Sequence, residues 1–187
     1  MSLEAIKLLE DEHKLILRGM RVAENMAKDF YVANKVNRDD LAQILDFIKN
    51  YADEFHHKKE EDVLFVWMSE KGFPIQGGPI SVMLYEHDIG RAHVKTIDDA
   101  LAHGDLVDKK TVDVISSALV DFASHLSSHI FKEDNMLYPM AERLSDDAAD
   151  EQLLQRYATK ISIIESRKVN AHYEGIMSEL EKKYGVR

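Results

Sequence analysis

The sequence predicts an all-α protein: an antiparallel up-down four-helix bundle followed by one or two additional C-terminal helices. Three observations carry this. Apolar residues recur every three or four positions through four long stretches, glycine and proline cluster in one place, and the links between stretches are short. Short links make sequence neighbours spatial neighbours, as in an up-down bundle. The bundle is expected over residues 1–142. Residues 143–187 form a helical extension packed on the same domain or at a dimer surface.

Helix 1 is predicted from about residue 3 to 34, where Leu3, Ile6, Leu9, Ile16, Met20, Ala23, Ala27 and Phe30 form one stripe that also includes His13. Asn37, followed by Arg38-Asp39-Asp40, offers an N-cap with acids in the first turn. Helix 2 then carries Leu41, Leu45, Ile48, Ala52, Phe55, His56, Glu60, Val63 and Trp67 on its inward face and ends near residue 70. Gly72-Phe73-Pro74-Ile75-Gln76-Gly77-Gly78-Pro79 reads as an irregular connection. Pro79 suits a first helical position, and helix 3 runs from there to Gly104 with Ile80, Met83, Leu84, His87, Val94, Ile97 and Leu101 inward. Helix 4 has the most regular pattern, stepping through Val112, Ile115, Leu119, Phe122, Leu126, His129, Glu133, Met136 and Met140. From Ser145 to Arg187, Leu153, Leu154, Tyr157, Ile161, Ile164 and Ile176 mark the extension, with Asp146-Asp147 as helix-start residues and Glu181-Lys182-Lys183 as a solvated face.

The chain has 187 residues, 45% apolar and 31% charged, with no cysteine. That describes one soluble packed domain. Zero cysteine removes disulfides, thiolate nucleophiles, zinc fingers and cysteine-ligated clusters, so a metal site must use nitrogen and oxygen ligands. There is no run of eighteen apolar residues and no signal-peptide pattern at the N-terminus, which gives a cytoplasmic expectation. A formal charge of −10 argues against nucleic acid or an anionic membrane as partner. The nine histidines are the unusual feature.

Two segments repeat each other. His56-His57-Lys58-Lys59-Glu60-Glu61-Asp62-Val63-Leu64-Phe65 and His129-Ile130-Phe131-Lys132-Glu133-Asp134-Asn135-Met136-Leu137-Tyr138 both fit His-x-x-Lys-Glu-x-x-x-Leu-(Phe/Tyr). Upstream of each stands a Glu-His pair with an arginine beyond it: Glu12-His13 with Arg18, and Glu86-His87 with Arg91. The spacing is 43 residues from His13 to His56 and 42 from His87 to His129, so the halves look like a duplicated helix pair. The repeat selects His56/Glu60 over His57/Glu61, and the α-helical period leaves His57 exposed.

A histidine and a glutamate at i and i+4 project from one face of a helix. Four inward imidazoles and two inward carboxylates, from His13, His56, Glu60, His87, His129 and Glu133, make a site for two metal ions. Six donors over-supply one zinc, and all-oxygen magnesium or calcium sites have little use for imidazole. Iron fits best, with manganese or zinc as substitutes. Two imidazoles, two bridging carboxylate oxygens and a bridging oxide or hydroxide fill five positions per iron, which leaves one for a small ligand.

These residues resemble the hemerythrin-like family, in its members with the His…His-x-x-x-Glu…His…His-x-x-x-Glu arrangement, the HHE cation-binding domains. The resemblance covers roughly residues 8 to 142. It implies a four-helix bundle around a non-haem, oxo- or hydroxo-bridged di-iron centre, with the same six residues as ligands. Family members bind or sense oxygen, handle nitric oxide or peroxide, store iron, or supply iron for cluster repair. The chain departs from oxygen-carrying members in having Arg91 where a His-x-x-x-His would close in helix 3, and Glu133 rather than an aspartate one residue later. It also departs from repair-type members, which carry an additional cysteine-containing N-terminal domain.

His125, one turn before His129, is either a fifth imidazole or a residue that orients a ligand carboxylate. Glu12, Glu86 and Arg91 are either surface partners or supports of the site. Trp67, Phe65, Tyr138 and Met136 are expected in the core, and His93, His103 and His172 on solvated surface. The function read from this is binding or sensing of dioxygen, nitric oxide or peroxide, with an unidentified electron donor. Catalytic turnover of peroxide or nitric oxide, iron storage or donation, and a purely structural bundle are the competing readings.

Overall fold

The computed structural model describes residues 3–186 except Asp147 and residues 161–162; the side chains of residues 163 and 164 also lie outside the description. The expectations for Asp147, Ile161 and Ile164 therefore fall outside the described residues. Among those residues there is no strand. The helices are α1 (Glu4–Ala33), α2 (Arg38–Asp46), α3 (Phe65–Glu70), α4 (Pro79–His103), α5 (Lys109–Lys132), α6 (Tyr138–Arg143), α7 (Ala149–Lys160) and α8 (Ile163–Tyr184).

Three π-helical stretches, Phe47–His57, Glu60–Leu64 and Glu133–Leu137, join α2 to α3 and α5 to α6, so that each forms one continuous rod. All three lie at the His-x-x-Lys-Glu motifs. A π turn closes through i→i+5 bonds and takes one more residue than an α turn.

Local chemistry sets the ends. Asn34 takes a left-handed conformation (φ 47°) and stops α1. The Asn37 side chain accepts from the amides of Asp39 and Asp40, both at 3.2 Å. Gly72 and Gly77 turn the connection at φ 89° and 71°, where a side chain would be strained. Pro79 opens α4, and Asp108 caps α5 by accepting from Thr111 N at 3.1 Å. The start of α1 has no local side-chain cap; Asp150 of α7 accepts from Glu4 N at 3.0 Å and Ala5 N at 2.8 Å instead.

The core has two apolar clusters with a polar layer between them. One gathers Ile16, Met20, Phe47, Ile115, Leu119 and Phe122 and is closed by Tyr173, Met177, Leu180 and Tyr184 of α8. The other gathers Ile6, Leu9, Leu64, Trp67, Ile80 and Leu137 and is closed by Ala149, Leu153 and Tyr157 of α7. Each large buried side chain contributes about 1.5–3 kcal/mol, and this apolar burial offsets the cost of holding charge between the clusters. The polar layer contains Glu12, His13, His56, His57, Lys59, Glu60, His87, His129 and Glu133, all buried.

Three expectations change. His57 is buried, with only 7% exposure, because the π stretch narrows the angle between adjacent side chains and turns it inward beside His56. Met136 is 54% exposed, while Leu137 and Ala141 are buried, because the π turn after Glu133 delays the inward stripe by one residue. Glu181 is not a free surface residue: Arg18 donates to both its oxygens at 2.8 Å. Trp67, Phe65 and Tyr138 lie in the core, His93 is half-buried, and His103 and His172 are exposed.

Candidate metal centre

Each of the four repeat-related imidazoles is held by a carboxylate on its Nδ1. His13 donates to Asp134 at 2.7 Å, His56 to Glu12 at 2.9 Å, His87 to Glu61 at 2.7 Å and His129 to Glu86 at 2.9 Å. This fixes each ring so that Nε2 turns inward, the tautomer and orientation a metal ligand needs. Lys59 pairs with Glu12 and Lys132 with Glu86. The duplication thus extends beyond the candidate ligands: Glu12, His13, His56, Lys59, Glu60 and Glu61 match Glu86, His87, His129, Lys132, Glu133 and Asp134 in sequence and in partners.

The inward nitrogens face Glu60 and Glu133, both with no exposed surface. His13 Nε2 lies 3.3 Å from Glu133 Oε2, His129 Nε2 3.0 Å from Glu133 Oε1, and His87 Nε2 3.5 Å from Glu60 Oε2. Nε2 of His56, Oε2 of Glu60 and both oxygens of Glu133 are buried and lack a well-aligned hydrogen-bond partner. Among the described residues two groups of four donors result, each with its atoms within 4.8 Å of one another: His13, His56, Glu60 and Glu133, and His57, Glu60, His87 and His129. Buried imidazole and carboxylate atoms without satisfied bonds, aimed at one space, are the donor set a cation requires.

Burial opposes charge on His13, but the Asp134 and Glu133 carboxylates outweigh it and lift the imidazole to about 10. His87 and His129 are raised against the same opposition by their carboxylate neighbours. Burial first, then the charge of Glu133, drives Glu60 well above the usual carboxylate range. Burial first, then the neighbouring imidazoles, pushes His56 well below the usual imidazole range and His57 down to about 3, so the layer holds imidazoles shifted in both directions.

The halves differ at the edges. Tyr138, the repeat mate of Phe65, donates to Glu60 Oε1 at 2.7 Å and lies 3.3 Å from His13 Nε2. Arg91 donates to Asp53 at 2.7 Å and to Glu61 at 2.7 Å, whereas Arg18 points to α8. His125 Nε2 donates to the backbone carbonyl of Glu86 at 2.8 Å, which steadies the residue that holds His129.

Sequence reasoning set His57 and Glu61 aside and missed Asp53, Asp134 and the contacts of Lys59, Lys132 and the Tyr138 hydroxyl. The repeated lysine of His-x-x-Lys-Glu and the acid after each glutamate were the available signals.

The family model described as "Hemerythrin HHE cation binding domain" matches residues 4–141. "Iron-sulfur cluster repair protein YtfE" of Pectobacterium carotovorum subsp. carotovorum (strain PC1) is 33% identical over 91 residues, which is 47% of this chain and 41% of that protein. The match thus spans less than half the length of that relative. No solved structure matches. With the family match covering most of the chain and the paired His/Glu motifs meeting at one buried layer, the chain belongs to the hemerythrin HHE cation-binding domain family.

Proposed function

We propose that His13, His56, Glu60, His87, His129 and Glu133 hold two iron ions with a bridging oxide or hydroxide, and that this centre binds or senses dioxygen, nitric oxide or peroxide. The observation that carries the reading is the set of four imidazoles, each fixed through Nδ1 by a carboxylate and turned toward two buried glutamates. Manganese or zinc suits the same donors. Iron bound there would supply redox chemistry and an open coordination position. The protein's own part is to fix the donors, exclude bulk water and limit what enters.

Size supports a small ligand. A cavity of about 140 Å³ abuts His57 and His87; Ile48, Val94, Phe122 and Leu126 line it together with the charged Lys49, Asp53, Arg91, Lys95 and Asp98. Pockets for organic ligands run to about 300–1,000 Å³, so this space is too small for a typical organic ligand and has room for a small one.

The reading includes an antiparallel up-down arrangement of the four rods over residues 1–142, with 143–187 as an extension. Its support is the order of the cross-links: Lys49 with Asp98, Asp53 with Arg91 and Glu61 with His87 run in opposite senses along the two rods. The first and third connections also meet, with Val36 N donating to Leu106 O at 2.8 Å.

Anaerobic reduction of the iron-loaded protein, followed by dioxygen, nitric oxide and peroxide in separate titrations, tests the function. A stoichiometric change in the charge-transfer bands with at least one is expected; no response to any of the three contradicts it. Likeness to an iron–sulfur cluster repair protein favours a second reading, iron donation. Iron transfer to an apo-acceptor under reducing conditions distinguishes it from ligand binding.

A further inference from the structure

We propose that His93 on α4 and His125 on α5 form a second metal site, at the surface, that takes one divalent transition-metal ion of the imidazole-binding class, such as zinc, nickel or copper. The site lies outside the buried layer and uses none of the six candidate ligands. Both residues are half-buried, and their rings meet across the contact between the two helices with centroids 6.1 Å apart and planes inclined by 47°. A metal–nitrogen bond of about 2.0–2.1 Å places a ring centre about 3.2 Å from the ion, so two imidazoles sharing one ion stand about 5–6.5 Å apart. The pair is already at the separation that chelation needs.

Each ring has a nitrogen to give. His125 Nε2 donates to the Glu86 carbonyl at 2.8 Å, which fixes the tautomer and leaves a lone pair on Nδ1. A carbonyl on the far nitrogen is a usual support of a ligating imidazole. Among the described residues His93 makes no hydrogen bond and no ion pair, so its half-buried ring has neither a protein partner nor full hydration. Asp121, exposed one turn before His125 on the same helix face, adds negative charge beside the pair.

The duplication supplies the comparison. The shift that carries His13 onto His87 carries Gly19 onto His93, and the shift that carries His56 onto His129 carries Ala52 onto His125. Gly19 and Ala52 are both buried. The first half of the bundle thus closes this helix contact with two of the smallest residues, where the second half places an imidazole at both positions. Packing does not require the pair, and a shared ion accounts for both changes together. Two nitrogens with no thiol, and further positions open to water, suit ions late in the divalent series.

Zinc, which is diamagnetic, tests the assignment in the full-length chain. Wild type and His93→Ala are compared by calorimetric titration, and the ring nitrogens of the wild type are followed by NMR. His93→Ala is expected to bind one zinc fewer per chain. In the wild type the resonances of His93 and His125 should move together as zinc is added, while those of the exposed His103 and His172 stay in place. His125→Gln, which keeps a donor for the Glu86 carbonyl, should lose the same ion. If circular dichroism shows that His93→Ala does not fold, His93→Gln takes its place. An unchanged zinc count in the His93 variant overturns the site, and so does zinc that moves His103 and His172 as much as His93 and His125. The six buried donors are intact in every variant, so the difference reads the surface pair whether or not the buried layer holds metal.

Discussion

Glu12 on α1 accepts a hydrogen bond from Nδ1 of His56 at 2.9 Å, across the interface between the first two rods. Its carboxylate also pairs with Lys59, which sits over the Phe55 ring and is only 3% exposed. Burial pushes Glu12 up to about 7, against the pull of Lys59. A carboxylate kept here at that cost has a use beyond solvation, and its repeat mate Glu86 stands in the same relation to His129 and Lys132.

Replacing either outer carboxylate by an amide is therefore expected to weaken the centre without abolishing the fold. Glu12→Gln and Glu86→Gln should each lower metal affinity about 10- to 100-fold. Competition with a chelator of known affinity measures this. Similar losses in the two variants follow from the repeated geometry, and no loss in either contradicts it.

Metal binding should be visible as stability. Iron(II) held about 100-fold above its dissociation constant is expected to stabilise the native chain by about 2.7 kcal/mol, and chelation to reverse this. In Glu133→Ala the metal-dependent increment should disappear, because both oxygens of Glu133 face the candidate ligand nitrogens. Thermal unfolding with and without iron checks it.

Much of this was legible in the sequence. Asn37 and Pro79 mark helix starts through chemistry that acts within one turn, and the structure uses both as read. The inward stripe placed His13, His56, Glu60, His87, His129 and Glu133, and all six are buried in one layer. What a fixed α-helical period cannot express is a change of period. The π stretches at the motifs turn His57 in and Met136 out. Arg18 and Arg91 looked equivalent because the repeat does not report the tertiary position of α8, which draws Arg18 away to Glu174 and Glu181.

The approach of α1 to the second rod depends on Gly19. A Cβ there would lie 2.3 Å from the Phe47 ring. Gly19→Ala is expected to destabilise by about 1–3 kcal/mol through overpacking, more than the ~0.8–1.0 kcal/mol that alanine gains in helix propensity. Urea unfolding of the variant measures the balance; a neutral or stabilising result contradicts the packing described.

Docking of α8 should depend on pH. The hydrogen bonds from Arg18 hold Glu181 below the usual glutamate range, overcoming the opposing effect of burial. A carboxylate lowered in the folded state stabilises at pH above its unfolded value, near 4.3, and that contribution is lost as pH falls through the lower folded value. Glu181→Gln should therefore flatten the acid limb of the stability profile while leaving metal content unchanged. An acid limb identical to wild type contradicts this.

The central claim is that the buried imidazoles and glutamates are organised around cations. Elemental analysis of the protein purified from iron-supplemented growth tests it most directly. About two irons per chain are predicted from a six-donor, two-carboxylate layer. A chain that is folded, full-length and free of iron, manganese and zinc, and that takes up none on reconstitution, would contradict it.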